Sequence, residues 1–296
     1  MSKKSFFKQK FSAFLSLAIV LTTFYLPSNV DAANLIQVGA SVESKYSSLG
    51  NCSHGDRVTD LYADRLFSEI TYDPILGDPV AEKLFKYQDA GAWEMDMLHS
   101  AIYGVPYLNV DDVDFMFFAG HGFYDGYHGV PYNSMHYFTL DSSTDFHPDN
   151  GDAGHAEDAA NADSYEVYWG YDIQDYKPLT KWVTTYNCNF LNTSGDYWSS
   201  IMQGVHLVMG FGSVMYIVAD EGKTYGKKLR EGAEIKTAFF DAAKQYQPLN
   251  STPTTVRVLG AAISEHDTLT NYSEKPAPIG SDNEDYYYWT VTVQPQ

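Results

Sequence analysis

Residues 113–126 read VDFMFFAGHGFYDG, and this stretch decides the fold. An unbroken apolar run of strand length is the pattern of a strand buried on both faces, the hallmark of a parallel sheet covered by helices. It stops at Gly120-His121-Gly122 and then turns polar. A second run, KWVTTYNCNFLN at 181–192, behaves the same way and stops at Asn187-Cys188. In open α/β sheets, sites form just beyond the carboxyl ends of strands. A histidine and a cysteine, each just past a core strand, therefore form a candidate chemical pair.

Working outward, NLIQVGASV reads as a first strand and GDRVTDLYADRLFSEI as a helix, with Val58, Leu61, Leu66 and Ile70 at helical spacing. DPVAEKLFKYQDAGAWEMDMLHSAI reads as another helix, with Leu84, Phe85, Trp93 and Met97 on apolar faces. MHYFTLDS is a short strand, GDYWSSIMQGV a short helix and HLVMGFGS a strand ending in glycines. YGKKLREGAEIKTAFFDAAKQY reads as one long amphipathic helix despite Gly232, and TTVRVLGAAI and DYYYWTVTV as strands. Strands alternating with helices predict an α/β fold: a three-layer α/β/α sandwich with a mostly parallel sheet and helices on both faces. Residues 141–164 hold six Asp and one Glu without Lys or Arg, and are expected to be an acidic insertion in a loop.

The first 32 residues carry four lysines, then an apolar run from about Phe11 to Leu26, then Val30 and Ala32 at −3 and −1 of a cleavage site. This predicts a signal peptide, with a single domain over residues 33–296 and a secreted product without a stable membrane anchor. The full chain has a net charge of −19, and removing residues 1–32 leaves −22. Such a surface repels nucleic acid and anionic membranes. The chain holds two cysteines, Cys52 and Cys188. In an exported protein they could form one disulfide, which would leave Cys188 chemically silent.

A Cys–His pair needs a thiol that can ionise, an imidazole that moves the proton, and donors for the oxyanion formed when a carbonyl is attacked. Gly122, lacking a side chain, lets its N–H approach a substrate carbonyl, and the N–H of Cys188 is a second donor. Asn187 and Asp125 are placed to contact substrate. Asp125, His128 and His136 are zinc-ligand types, but no recognised zinc spacing is present. Asp149 and Asp152, with Asp145, Glu157 and Asp158 nearby, offer oxygen ligands of the kind Ca2+ takes, although the EF-hand pattern is absent. His206 opens a strand and reads as structural. Trp93, Trp182 and Trp198 read as core or rim aromatics. The 24 tyrosines could form a stacking surface for a glycan or wall polymer.

An apolar strand ending in His-Gly, followed by an apolar strand ending in Cys, resembles the caspase–gingipain–legumain clan of cysteine peptidases. The likeness covers residues 110–265. GVHLVMGFGS and the helix after it resemble an exported bacterial family that shares this core. The resemblance implies a caspase-like fold, cysteine endopeptidase activity on a peptide or protein, and no required cofactor. It makes His121 the base, Cys188 the nucleophile and Gly122 an oxyanion donor. Asn187 departs from the small residue usual before the clan's cysteine. The second functional class is an exported binding protein on the same scaffold, with a Cys52–Cys188 disulfide.

Overall fold

The computed structural model describes residues 35–45, 58–71, 79–92, 96–97, 106–120, 122–125, 135–140, 160–163, 169–170, 178–192, 201–279 and 285–296. Ile36–Gln296 forms one compact unit. In the other, Met1–Leu35, only Leu35 is described. The strands are β1 (Ile36–Val42), β2 (Ala81–Gln88), β3 (Phe115–Ala119), β4 (Gly122–Asp125), β5 (Met135–Leu140), β6 (Ala160–Asp163), β7 (Trp182–Tyr186), β8 (Leu207–Phe211), β9 (Thr254–Ala261) and β10 (Tyr286–Val293). The described α-helices are α1 (Thr59–Thr71), α2 (Ala219–Arg230) and α3 (Ile235–Tyr246).

Seven strands form one sheet in the order β10-β9-β8-β7-β3-β1-β2. From β2 to β8 every pairing is parallel, and β9 and β10 add antiparallel pairings at one edge. The chain is thus an α/β protein with a mixed, mostly parallel sheet. The central strands β3 and β7 are buried at every position. Each fully buried Phe of β3 contributes about 2–3 kcal/mol by leaving water.

Strand alternation separates two cores. Phe115, Phe117 and Ala119 face the cluster that holds the apolar sides of all three helices. Met116 and Phe118 face the other cluster, with Ala92, Met97, Trp169, Phe190 and Met202. All three described helices therefore lie on one face of the sheet.

Two sequence expectations are corrected. Ala81–Gln88, read as helix, is the edge strand β2. Its apolar residues fit a pleat as well as a helix: Phe85 and Tyr87 alternate onto one face and stack at 4.7 Å. Phe85 lies over Gly39 of β1, where a Cβ would come within 2.3 Å of the ring. The single long helix expected over residues 225–246 is two helices. Gly232 has φ +82°, the Ala233 N–H bonds Lys228 O and the Gly232 N–H bonds Leu229 O. That is a Schellman closure, which a glycine in the left-handed region makes at little cost. Val58 precedes α1 and is exposed, as is Leu61 within it, and Tyr62, Ala63, Leu66, Phe67 and Ile70 form the buried face.

Helices α1 and α2 touch closely because α2 carries glycine four residues apart. A Cβ at Gly222 would lie 2.4 Å from Tyr62 O, and one at Gly226 would lie 2.5 Å from Leu66 O. A second, antiparallel sheet of β4-β5-β6 follows the end of β3. Its last strand takes residues 160–163 from the stretch expected to be wholly loop. Most of residues 141–164, and most of the short helix expected at 195–205, lie outside the described residues.

Candidate functional site

The site is built at the carboxyl ends of β1, β3 and β7. Adjacent strands pair Phe115 with Trp182 and Ala119 with Tyr186, an offset of 67 residues. The same offset separates His121 from Cys188 in the sequence. The ladder runs one residue further, through the Gly120 N–H to Tyr186 O at 3.4 Å. On the other side the Glu43 N–H reaches Ala119 O at 2.9 Å. Glu43, Gly120 and Asn187 thus follow three neighbouring strands at one level.

Cys188 is a half-buried thiol packed against the core that carries the helices. The Met215 N–H donates to its Sγ at 3.5 Å, and the thiol donates to Met215 O at 4.0 Å. The turn after it is held on several sides. Asn189 takes φ +59°, a left-handed conformation that Asn tolerates better than most residues. Its N–H bonds Ser213 O, the Leu191 N–H bonds Phe211 O, and the Arg257 guanidinium donates to Leu191 O and Asn192 O at 2.5 Å each. A cation on the last carbonyls of a turn satisfies acceptors that would otherwise be orphaned.

Asn187 is fully buried, and neither its Oδ1 nor its Nδ2 has a hydrogen-bond partner. Leaving such a group unmade costs about 1–3 kcal/mol. Glu43 is also fully buried, and its Oε1 accepts from the Lys45 N–H at 3.1 Å. Beside it, Asp89 at the end of β2 accepts from the Ser44 N–H and hydroxyl and from the Lys45 N–H. Burial alone would raise the Asp89 carboxyl, but the Ser44 and Lys45 bonds outweigh it and hold the acid below its ordinary range.

Under the thiol lies a buried polar cluster. Tyr186 and Gln247 both donate to Glu221 Oε2 at 2.7 Å, and Glu221 is fully buried at the start of α2. Burial pushes the Glu221 carboxyl up to about 8, against the hydrogen bonds from Tyr186 and Gln247. Burial together with the nearby Glu221 raises the Tyr62 and Tyr186 phenols well above normal.

Of the residues expected from sequence, Cys188 and Asn187 stand together at the end of β7, and Gly122 opens β4. Asp125 ends β4, where only the backbone is described. His121, Cys52, Asp149 and Asp152 lie outside the described residues, as do His128, Asp145, Glu157, Asp158, Trp93 and Trp198. His136 falls in β5, again with backbone only. No group of three His, Cys, Asp or Glu able to hold a metal occurs among the described residues. Likewise, no helix among them is long and apolar enough to cross a membrane.

His206 sits at the opposite, amino end of the sheet. Its Nδ1 meets Asp267 Oδ2 at 2.7 Å and Ser273 Oγ at 3.3 Å, and Trp182 Nε1 donates to the same carboxylate. Carboxylate and hydroxyl meet one ring nitrogen, so no proton can pass through the ring between them. The cluster ties residues 264–273 to the base of β7 and β8.

Sequence reading missed Glu43, Asp89, Glu221, Gln247 and Asn250. Glu43 had a signal, since it follows an apolar strand as His121 does. The others had none.

Fold and site define an α/β protein with a thiol at the carboxyl end of a central parallel strand. The chain belongs to the family described as a domain of unknown function, DUF6345, which matches residues 48–293. No curated protein matches it.

Proposed function

We propose that this chain is a secreted cysteine peptidase of caspase-like α/β/α architecture, with His121 and Cys188 as its working pair. The observation that carries the reading is the register of β3 against β7. The sequence separation of the two residues equals the strand offset, and both fall two positions beyond the paired ends. Cys188 itself packs against the core that carries the helices.

In the proposed reaction His121 takes the thiol proton of Cys188, Sγ attacks the carbonyl carbon of a peptide bond, and a C–S bond forms as the carbonyl π pair moves to oxygen. The N–H groups of Gly122 and Cys188 receive the oxyanion. Collapse breaks the C–N bond, and the amine leaves with a proton from the imidazolium of His121. Water then attacks the thioester, releases the acid product and returns the thiol. Donation from the Met215 N–H to Sγ favours the thiolate that the first step needs.

Asn187 supports a substrate pocket. Its buried amide gains from any ligand that supplies a donor and an acceptor. Glu43, on the neighbouring strand at the same level, adds a buried carboxyl that can accept hydrogen bonds. The site thus suits a substrate side chain that is polar or basic. Acids of the 141–164 loop, with Asp125, would favour the same charge, and Asp149 and Asp152 would hold Ca2+ if that loop binds an ion.

The test combines hydrolysis of a mixed peptide library with iodoacetamide labelling of the exported protein. Cleavage should vanish in Cys188→Ala and His121→Ala, and Cys188 should label quickly below pH 7.5. A Cys188 linked to Cys52, or one that labels only after unfolding, would refute the reading in favour of a silent binding protein.

A further inference from the structure

The segment after α3, Gln247–Asn250, grips the loop that covers Cys188, and it does so with side chains rather than by packing alone. Asn250 is buried, and its Nδ2 donates to Val214 O at 3.1 Å and to Thr254 Oγ1 at 3.0 Å. Val214 O and the Met215 N–H belong to one peptide unit. The far end of that unit donates to Cys188 Sγ at 3.5 Å. A hydrogen bond accepted by the carbonyl polarises the peptide and strengthens its N–H as a donor.

Gln247 holds the next peptides in place. Its Oε1 accepts from the Tyr216 N–H, and its Nε2 donates to Tyr216 O, both at 2.9 Å. The same Nε2 is anchored on Glu221, and the Tyr186 hydroxyl accepts from the Val218 N–H at 3.3 Å. Ser213 is fastened separately, its Oγ accepting from the Thr255 N–H at 2.8 Å. The loop from Ser213 to Val218 is therefore tied at Ser213, Val214, Tyr216 and Val218, and the tie at Val214 is in line with the thiol.

We propose that Asn250 is a positioning residue that sets the acidity of Cys188, by holding the Val214–Met215 peptide with its N–H on the sulfur. The Met215 amide donates to Sγ at 3.5 Å, and loss of that donor would leave the thiol's own bond to Met215 O, at 4.0 Å, to favour the protonated form. A thiolate accepts a stronger, charge-assisted bond than a thiol. The role rests on the peptidase reading for its consequence, but its test reads the thiol and not hydrolysis, so the two can fail separately.

The experiment is the pH dependence of iodoacetamide alkylation of Cys188 in the full chain, with the labelled peptide identified by mass. Asn250→Ala and the similarly branched Asn250→Leu both remove the donor. Leu249→Ala, at a 60% exposed position on the same segment, is the control. The titratable groups on the neighbouring elements, His121 beyond β3, Glu43 beyond β1 and Glu221 on α2, are unchanged in every variant. Alkylation at pH 6 should slow about five- to tenfold in the Asn250 variants, as for a rise in thiol pKa of up to about one unit. Leu249→Ala should match wild type. If Asn250→Leu restores the wild-type titration, the residue acts by packing alone and the proposal fails. A folded Asn250→Ala with an unshifted titration overturns it equally. Should Asn250→Ala not fold, Asn250→Leu decides between the same two outcomes: a slowed alkylation supports the role, and a wild-type titration ends it.

Discussion

Glu221 is a carboxyl sealed beneath β7, and replacing it with Gln isolates its titration. Facing it are Tyr186 and Gln247, which bond Oε2, and Tyr62, whose hydroxyl has no hydrogen-bond partner. An amide oxygen at the Oε2 position keeps both bonds, and the amide nitrogen replaces an oxygen that has no hydrogen-bond partner. Burial raises the acid from 4.5 to about 8 in the folded protein. The folded state therefore holds a proton that the unfolded chain releases. This stability is fully present below pH 4.5 and is lost as pH rises through 8. The shift corresponds to about 5 kcal/mol across that window. Urea unfolding, followed by tryptophan fluorescence between pH 5 and 8.5, measures it. Wild type should lose stability relative to Glu221→Gln as pH rises. Between pH 5 and 8.5 about 4 kcal/mol of it is lost, so with a slope of about 3 kcal/mol per molar urea the gap in midpoints should widen by roughly 1.2 M. At pH 5 the two should nearly coincide. If both proteins weaken in parallel over the whole range, Glu221 is not a buried neutral acid and the reasoning is refuted.

Two further substitutions test the packing and the pocket. Asn187→Ala removes two unsatisfied polar atoms, so it should cost less than about 1 kcal/mol in urea unfolding while weakening peptide cleavage; a loss above about 2 kcal/mol would mean that the amide is satisfied. Gly226→Ala drives a methyl against Leu66 O and should lower stability by about 1–3 kcal/mol despite alanine's better helix propensity, read as a drop in melting temperature; a rise would show that α1 and α2 can separate without loss.

The elements that carry the site were readable because they are extreme. FMFFA and WVTTY are buried at every position, and a strand buried on both faces has no other way to look in sequence. Residues placed by alternation on half-exposed edges were not readable. AEKLFKYQ has apolar positions compatible with two periods, and only its pairing with β1 makes it a strand. Gly232 could be tolerated inside a helix or end one, and the choice came from the two backbone bonds that close α2.

Local patterning therefore determines the parallel core, the positions where β3 and β7 end, and the presence of His121 and Cys188 just beyond those ends. These are matters of burial and chain direction, which residue type reports directly. Tertiary structure alone decides that β3 and β7 are neighbours in a register offset of 67 residues, because pairing joins segments far apart in the chain. It alone brings Asn250 to the peptide that touches Cys188, and Gln247 and Tyr186 to the carboxyl of Glu221. A buried hydrogen bond depends on where distant backbones cross, and no local periodicity encodes that crossing.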